Sequence, residues 1–355
     1  MPGTCLVKQK APFAIALLFL MVIKANGFSQ MKLEDIKIAL LGTTGAGKTS
    51  YLLGMYAVMQ TGVQGFTLAA QDMDLDLELI QRWEKLISLE GEDRWPTPNA
   101  AAMEYYDFDF SYGFRPLMRF KWLDYRGLAL SDRSTEQDVT DLGQYLQTAE
   151  CLLLCISGEH LINEVTPTTV REIKSDRMNQ FIQQYVSKNK RPNPQKPFPV
   201  SIVITKYDLC HHRDKSDIIA DVKKLFQALF TPNSGWSVMI CPVSLGKELG
   251  KNPESGSIIP VNVHLPVVFA VYSRLNAYAL ELEQQQNQYV TAIDTLKQKN
   301  SLIQMLRAAE IQEQTTKLET SKKEIAAVTE NMKLLAQELS QVSLFFNGNE
   351  VTADV

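Results

Sequence analysis

The stretch IALLGTTGAGKTS, residues 38–50, restricts the fold more than any other part of the chain. A short apolar run tips into a loop holding Gly42, Gly45 and Gly47 and ends in the pair Lys48-Thr49, a complete match to GxxxxGK[ST]. Glycines at these places let successive backbone N–H groups turn toward one anion without Cβ clashes. A helix beginning near Lys48 adds the positive end of its dipole to the same space. Thr43, Thr44, Ala46 and Ser50 complete the cradle. Lys48 is expected to reach the β- and γ-phosphates, and Thr49 to hold Mg²⁺ through its hydroxyl. The loop demands an apolar strand before it and a helix after it, and the sequence supplies both.

The same alternation continues downstream. Strand-like runs fall at residues 36–41, 104–110, 117–123, 151–157, 200–205 and 237–242, with helical patterns at 48–61, 75–89, 138–147, 168–187 and 214–230. Strands separated by helices imply an α/β chain: a three-layer P-loop NTPase fold with an open, mainly parallel sheet covered on both faces. Ligands of such sheets bind at the carboxyl ends of the strands.

Two further motifs fall at strand ends. VSIVITKYDL finishes in Thr205-Lys206-Tyr207-Asp208, and RFKWLDYRGL carries Asp124-Tyr125-Arg126-Gly127, a DxxG. In this order the three motifs resemble the P-loop GTPases of the translation-factor, Ras-like class, whose guanine-reading motif is [NT]KxD. The resemblance implies that Asp208 accepts two N–H bonds from guanine, a donor pair adenine lacks. It implies that Lys206 packs its stem over the base, with Thr205 in the usual asparagine's place. Asp124 would hold Mg²⁺ through water, and the Gly127 N–H would contact the γ-phosphate. Ser244 and Leu245, in CPVSLG, stand where the class has a loop whose backbone touches guanine. Thr97, in RWPTPNAAAMEYYDF, is the best candidate for the threonine that senses Mg²⁺ and γ-phosphate, and Thr67, in GFTLAAQD, is the runner-up. One departure concerns hydrolysis. Leu128 follows the DxxG where many members of the class have a water-orienting glutamine, and leucine cannot orient water. Turnover is therefore expected to be slow or partner-assisted, with Arg126 as a candidate charge stabiliser.

Within that class the chain is similar to bacterial double-GTPase-domain proteins. The likeness rests on the GAGKT loop followed by Tyr-Leu, on WPTP before the second strand, on CISGEHL after the middle strand, and on NVHLPVVFAVYSRL. It runs over residues 31–273, with an insertion at about 61–94 that simple Ras-like domains lack.

The two ends read differently. Residues 1–30 place Lys8 and Lys10 before the apolar run 11–23, as in a signal segment or short anchor, while Met31 stands just before the first strand, as after an upstream mis-start. Both readings stay open. The chain is expected in the cytoplasm, or at the inner membrane through residues 11–23 if that segment is retained. From 274 to 346 good helix formers dominate, and Ile325, Val328, Met332, Leu335, Leu339, Val342 and Phe346 step by three and four. Tyr289, Ile293, Leu296 and Ile303 repeat the pattern upstream with Asn300 in the seam, and an offset near Arg307 resembles a stutter. This predicts a helical tail, either a coiled coil that recruits a second copy or another protein, or a helix folded back on its own domain. Residues 347–355 are expected to be disordered.

The net charge of −4 gives no case for nucleic acid. The five cysteines show no framework spacing, and Cys151 and Cys155, around three leucines, read as buried free thiols. The leading expectation is a GTP-binding switch signalling through its tail, with GTP or GDP and Mg²⁺ as ligands. The alternatives are a module that binds guanine nucleotide without hydrolysing it, a coiled-coil scaffold, and an ATP-using P-loop enzyme in which TKYD is coincidental.

Overall fold

The computed structural model describes residues 35–88, 90–97, 103–125, 130, 134–190, 192, 194–298 and 306–351. The segment 1–30, Cys5, Asn300, Ile303 and residues 352–355 lie outside them. Among the described residues no helix is long and apolar enough to cross a membrane.

In the described residues nine strands form one sheet, in the order β2-β3-β4-β1-β5-β6-β7-β8-β9. They are β1 (Ile36–Leu41), β2 (Phe66–Ala70), β3 (Met103–Tyr112), β4 (Arg115–Tyr125), β5 (Cys151–Ser157), β6 (Phe198–Thr205), β7 (Trp236–Pro242), β8 (Ser343–Phe346) and β9 (Asn349–Val351). The five central strands, β4-β1-β5-β6-β7, pair in parallel. Both flanks are antiparallel, with β2 and β3 on one side and β8 and β9 on the other. Every residue of β5 is buried, as expected of a parallel strand covered on both faces.

The helices are α1 (Lys48–Thr61), α2 (Met73–Ser88), α3 (Glu136–Thr148), α4 (Pro167–Ile173), α5 (Ser175–Phe181), α6 (Lys215–Leu225), α7 (Leu265–Lys297) and α8 (Ala308–Leu339). On one face Leu142 and Leu146 of α3, Met178 of α5 and Val222 of α6 share a core with Leu152, Leu154, Ile202 and Ile240 of the sheet. On the other face α1 sets Tyr51 against Trp122 and Tyr56 against Phe108. The first turns of α7, Val267 to Val271, are buried all round, as a helix must be when it is hydrophobic on every side. The helical pattern at 168–187 breaks at Lys174, which takes a left-handed φ of 58° between α4 and α5.

Residues 61–94 hold, besides the helix Met73–Ser88, an edge strand that the sequence did not mark, Phe66–Ala70, paired with β3. One expectation needs correction: the tail is not one long helix. It is an antiparallel pair, α7 against α8, with Tyr278 Oη donating to Glu324 at 3.4 Å and Ser321 Oγ to the Leu282 carbonyl at 3.5 Å. The seam residues Val328, Leu335 and Leu339 are buried inside this one chain. A heptad pattern looks the same whether its partner is a second chain or the returning helix, so here it gives no argument for association. The seam also ends before Phe346. That residue belongs to β8, and residues 347–351, expected to be disordered, form a turn and β9. The turn residues Asn347 and Gly348 have φ of 50° and 83°, the geometry that Asn-Gly favours in a tight hairpin.

Candidate active site

The parallel strands β1, β4, β5, β6 and β7 share one carboxyl edge, and the phosphate loop, Asp124 and the TKYD turn fall there. Together they line a cavity of about 670 Å³. Thr44, Gly45, Gly47, Lys48, Thr49 and Ser50 line one part with Asp124; Thr205, Lys206, Asp208, Ser244 and Leu245 line the other; and Thr97 also lines the cavity.

The phosphate loop needs its glycines. Gly47 sits at φ 76° just before α1, where a side chain would be strained. A Cβ on Gly42 would lie 2.7 Å from the Cys155 carbonyl oxygen. Lys48 curls back over the loop, its Nζ donating to the carbonyls of Gly42 (2.8 Å) and Thr43 (3.0 Å). Burial lowers the pKa of its ammonium, and the nearby Asp124 carboxylate opposes that shift.

Thr49 Oγ1 donates to Asp124 Oδ2 at 3.3 Å, joining the first turn of α1 to the end of β4. A hydroxyl and a carboxylate side by side are hard oxygen donors of the kind Mg²⁺ takes. Asp124 is 3% exposed. Burial pushes its carboxyl up to about 6, Lys48 pulls it down, and Glu104, its cross-strand partner on β3, pushes it up. Glu104 in turn accepts from the Tyr106 hydroxyl and faces Arg82 of α2 at 3.9 Å.

At the other part, Thr205 Oγ1 donates to the Ala46 carbonyl at 2.7 Å, with the Ile156 carbonyl at 3.2 Å, and so ties β6 to the phosphate loop. Lys206 turns the chain sharply with a left-handed φ of 48° and presents Asp208. Ser244 Oγ donates to Asp208 Oδ1 at 2.9 Å and accepts from the Gly246 N–H at 3.0 Å. One carboxylate oxygen is thereby held in place.

Of the two threonine candidates, Thr97 lines the cavity, whereas Thr67 lies in β2 opposite Ser111 and does not. Arg126, Gly127 and Leu128 lie outside the described residues. The cysteines at 151, 155, 210 and 241 are buried and free, and burial pushes the Cys155 thiol up to about 12, which keeps it protonated and inert.

Sequence reasoning passed over several lining residues. Glu159, just after β5, pairs with Lys206 Nζ at 3.2 Å, and the rule that ligands sit at strand carboxyl ends would have found it. Trp95 and Pro96 line the cavity from the WPTP segment. Leu249, Gly250 and Pro253 line it from the loop after β7, and nothing in their sequence marks them.

A family model described as Double-GTPase 2 matches residues 36–234, more than half of the chain. The chain belongs to the Double-GTPase 2 family. The match spans the phosphate loop, Asp124 and the TKYD turn, and it stops short of Ser244 and the helical pair. No curated protein matches this Double-GTPase 2 chain. Among solved structures, one described as Sup35 complexed with GDP is 14% identical, with a TM-score of 0.29, covering 61% of this chain. The chain spans 38% of that Sup35 chain's length. A GDP-bound mutant of the S. thermophilus FeoB G-domain is also 14% identical, with a TM-score of 0.27, covering 86% of this chain and 99% of its own.

The raised Asp124 pKa predicts a pH signature in the metal-free chain. Unfolded, this carboxyl loses its proton near its ordinary value; folded, it keeps the proton up to about 6. Between those values the folded state binds more protons, so stability falls as pH rises. With chelator present, the stability difference between wild type and Asp124→Asn should change by about 2–3 kcal/mol from pH 4 to pH 7. Urea melts at the two pH values measure it, and an unchanged difference would count against the buried carboxylate.

Proposed function

We propose that this chain is a GTP-binding molecular switch that uses Mg²⁺ and hydrolyses GTP slowly or with a partner's help. The observation that carries this reading is the single cavity shared by the phosphate loop, Asp124 and the TKYD turn. Lys48 neutralises β- and γ-phosphate oxygens, and the loop N–H groups hold the same phosphates. Thr49 would hold Mg²⁺ directly and Asp124 through water, and the ion when bound would supply charge neutralisation at the phosphates. Thr97 and the Gly127 N–H sense the γ-phosphate, and their segments relax when it leaves. Asp208 reads guanine, with the Lys206 stem over the base and the backbone of Ser244 and Leu245 beside it. Catalysis consists of positioning water for in-line attack and stabilising charge. Leu128 leaves the water without a side-chain orienter in its usual place, so turnover is slow. Arg126 or a partner's group supplies the missing charge.

A route for readout supports the switch. Ser244 and Val261 exchange backbone hydrogen bonds at 3.3 and 2.7 Å, so the guanine-side loop leads directly into α7. The far end of α8 returns to the same place, where Glu338 accepts from Gln64 at 3.1 Å and pairs with His264 at 3.1 Å.

Titration of residues 31–355 with fluorescent GTP and ATP analogues and Mg²⁺ tests the reading. GTP should bind and ATP should not. Lys48→Ala should weaken GTP by roughly 100-fold or more, the scale of losing one buried charge on two phosphate groups. Equal binding of ATP and GTP would move the chain to another P-loop class. Tight GTP binding with no turnover would leave a nucleotide-locked module.

A further inference from the structure

Arg94 is 3% exposed, yet among the described residues no carboxylate pairs with it. Its Nε donates to the Leu86 carbonyl at 3.1 Å, near the end of α2. Its Nη1 donates to the carbonyls of Glu254 (3.2 Å) and Gly256 (3.0 Å), in the loop after β7. The Gly91 N–H donates to the same Glu254 carbonyl at 2.9 Å, and the guanidinium lies 5.5 Å from the centre of the Trp95 ring. A buried cation is costly to desolvate, and here the hydrogen bonds among the described residues that offset the cost all go to backbone carbonyls, so the side chain ties these three segments together.

Two of these segments lead into the lining of the cavity. Trp95, Pro96 and Thr97 follow Arg94 directly and line the cavity, whose lining also includes Lys48, Thr49 and Asp124. On the other side, the loop of residues 246–256 presses on the guanine reader: a Cβ on Gly250 would lie 3.1 Å from Asp208 Oδ2. Asp208 lies against Gly250, the backbone runs on from Gly250 to Glu254 and Gly256, these bond Arg94, and three residues of chain lead from Arg94 to Thr97.

We propose that Arg94 is a positioning residue that couples these two lining segments, so that closing the loop of residues 246–256 on guanine places Thr97 for the γ-phosphate and Mg²⁺. This rests on the GTP-binding reading above and adds to it a link between base identity and the switch. A nucleotide that leaves Asp208 unsatisfied does not close the loop, and Thr97 is not delivered.

Hydrogen exchange and binding on the full chain test the link, using wild type, Arg94→Lys, Thr97→Ala and the double variant. In wild type, GMP, which carries the base and a single phosphate, should slow exchange in residues 246–256 and also in residues 92–97. Arg94→Lys should keep the first protection and lose the second. Thr97→Ala should weaken a non-hydrolysable GTP analogue roughly tenfold in wild type and less than about twofold in the Arg94→Lys background, the non-additivity of a shared unit. A purely structural arginine would lower the melting temperature while the Thr97→Ala effect stayed the same in both backgrounds. That outcome overturns the coupling and leaves GTP binding intact. If Arg94→Lys does not fold, the wild-type exchange decides alone, because GMP protection confined to residues 246–256 also overturns the coupling. Failure of wild type to bind any guanine nucleotide overturns the underlying reading, and the coupling with it.

Discussion

Asp208→Ala is expected to erase the preference for GTP over ATP while leaving the fold in place. The carboxylate stands at the turn after β6, one oxygen fixed by Ser244 Oγ at 2.9 Å and the side chain only partly buried, so its removal opens no core cavity. On the proposed reading, the lost interactions are two charge-assisted hydrogen bonds to the N–H pair of guanine. At roughly 1.5–3 kcal/mol each, they amount to about 3–6 kcal/mol, or roughly 10²–10⁴-fold in GTP affinity. ATP makes neither bond, so its affinity should stay the same or rise slightly once the unmatched carboxylate is gone. Paired titrations of the two nucleotides against wild type and variant measure this directly. A GTP affinity that drops with the ratio to ATP preserved would mean that Asp208 supports the loop without reading the base.

The parts of the site that could be read from the sequence are those whose chemistry is contiguous. The phosphate loop carries its glycines, Lys48 and Thr49 in eight residues, because one turn of backbone must wrap one anion. Asp124 and Asp208 were legible because each ends a recognisable apolar strand, and parallel strands bring their carboxyl ends together. Arg94 was not legible. Its partners are backbone carbonyls, and the Glu254 carbonyl is 160 residues away in sequence. A carbonyl leaves no trace in residue type. The loop that presses Gly250 toward Asp208 is silent for the same reason. All six sequence-derived strands exist in the fold, since runs such as CLLLCIS, buried on both faces, announce themselves. The strand Phe66–Ala70 did not, because five residues between Gly65 and a polar run carry too little alternation to stand out from loop.

The C-terminal strands illustrate a different failure, and they set up the largest stability effect expected in this chain. The steps from Leu339 to Val342 to Phe346 continue a heptad, but Asn347-Gly348 is a hairpin signal, and the structure follows the hairpin. Strand β8 pairs antiparallel with β7 from Ser237 to Ile240 and puts Phe345 into the core. The Phe345 ring is 1% exposed, meets Phe230 edge-on at 5.1 Å and carries Lys223 Nζ 4.2 Å above its centre. Asn347 locks the turn: its side chain accepts from the Gly235 N–H at 3.1 Å and donates to the Pro194 carbonyl at 3.0 Å. Phe345→Ala should therefore cost about 3–5 kcal/mol, the usual loss for a fully buried phenylalanine. Deletion of residues 340–355 should cost more. It removes Phe345 and Val342, unpairs the edge of β7 and leaves a strand that aggregates with its own kind. A tail that merely hung from the domain would be dispensable, and the truncated chain would melt at the wild-type temperature. Urea melts of the two variants beside wild type separate these cases. A large loss in both would establish that the last strands complete the nucleotide-binding sheet, with the helical pair as the arm that carries them back to it.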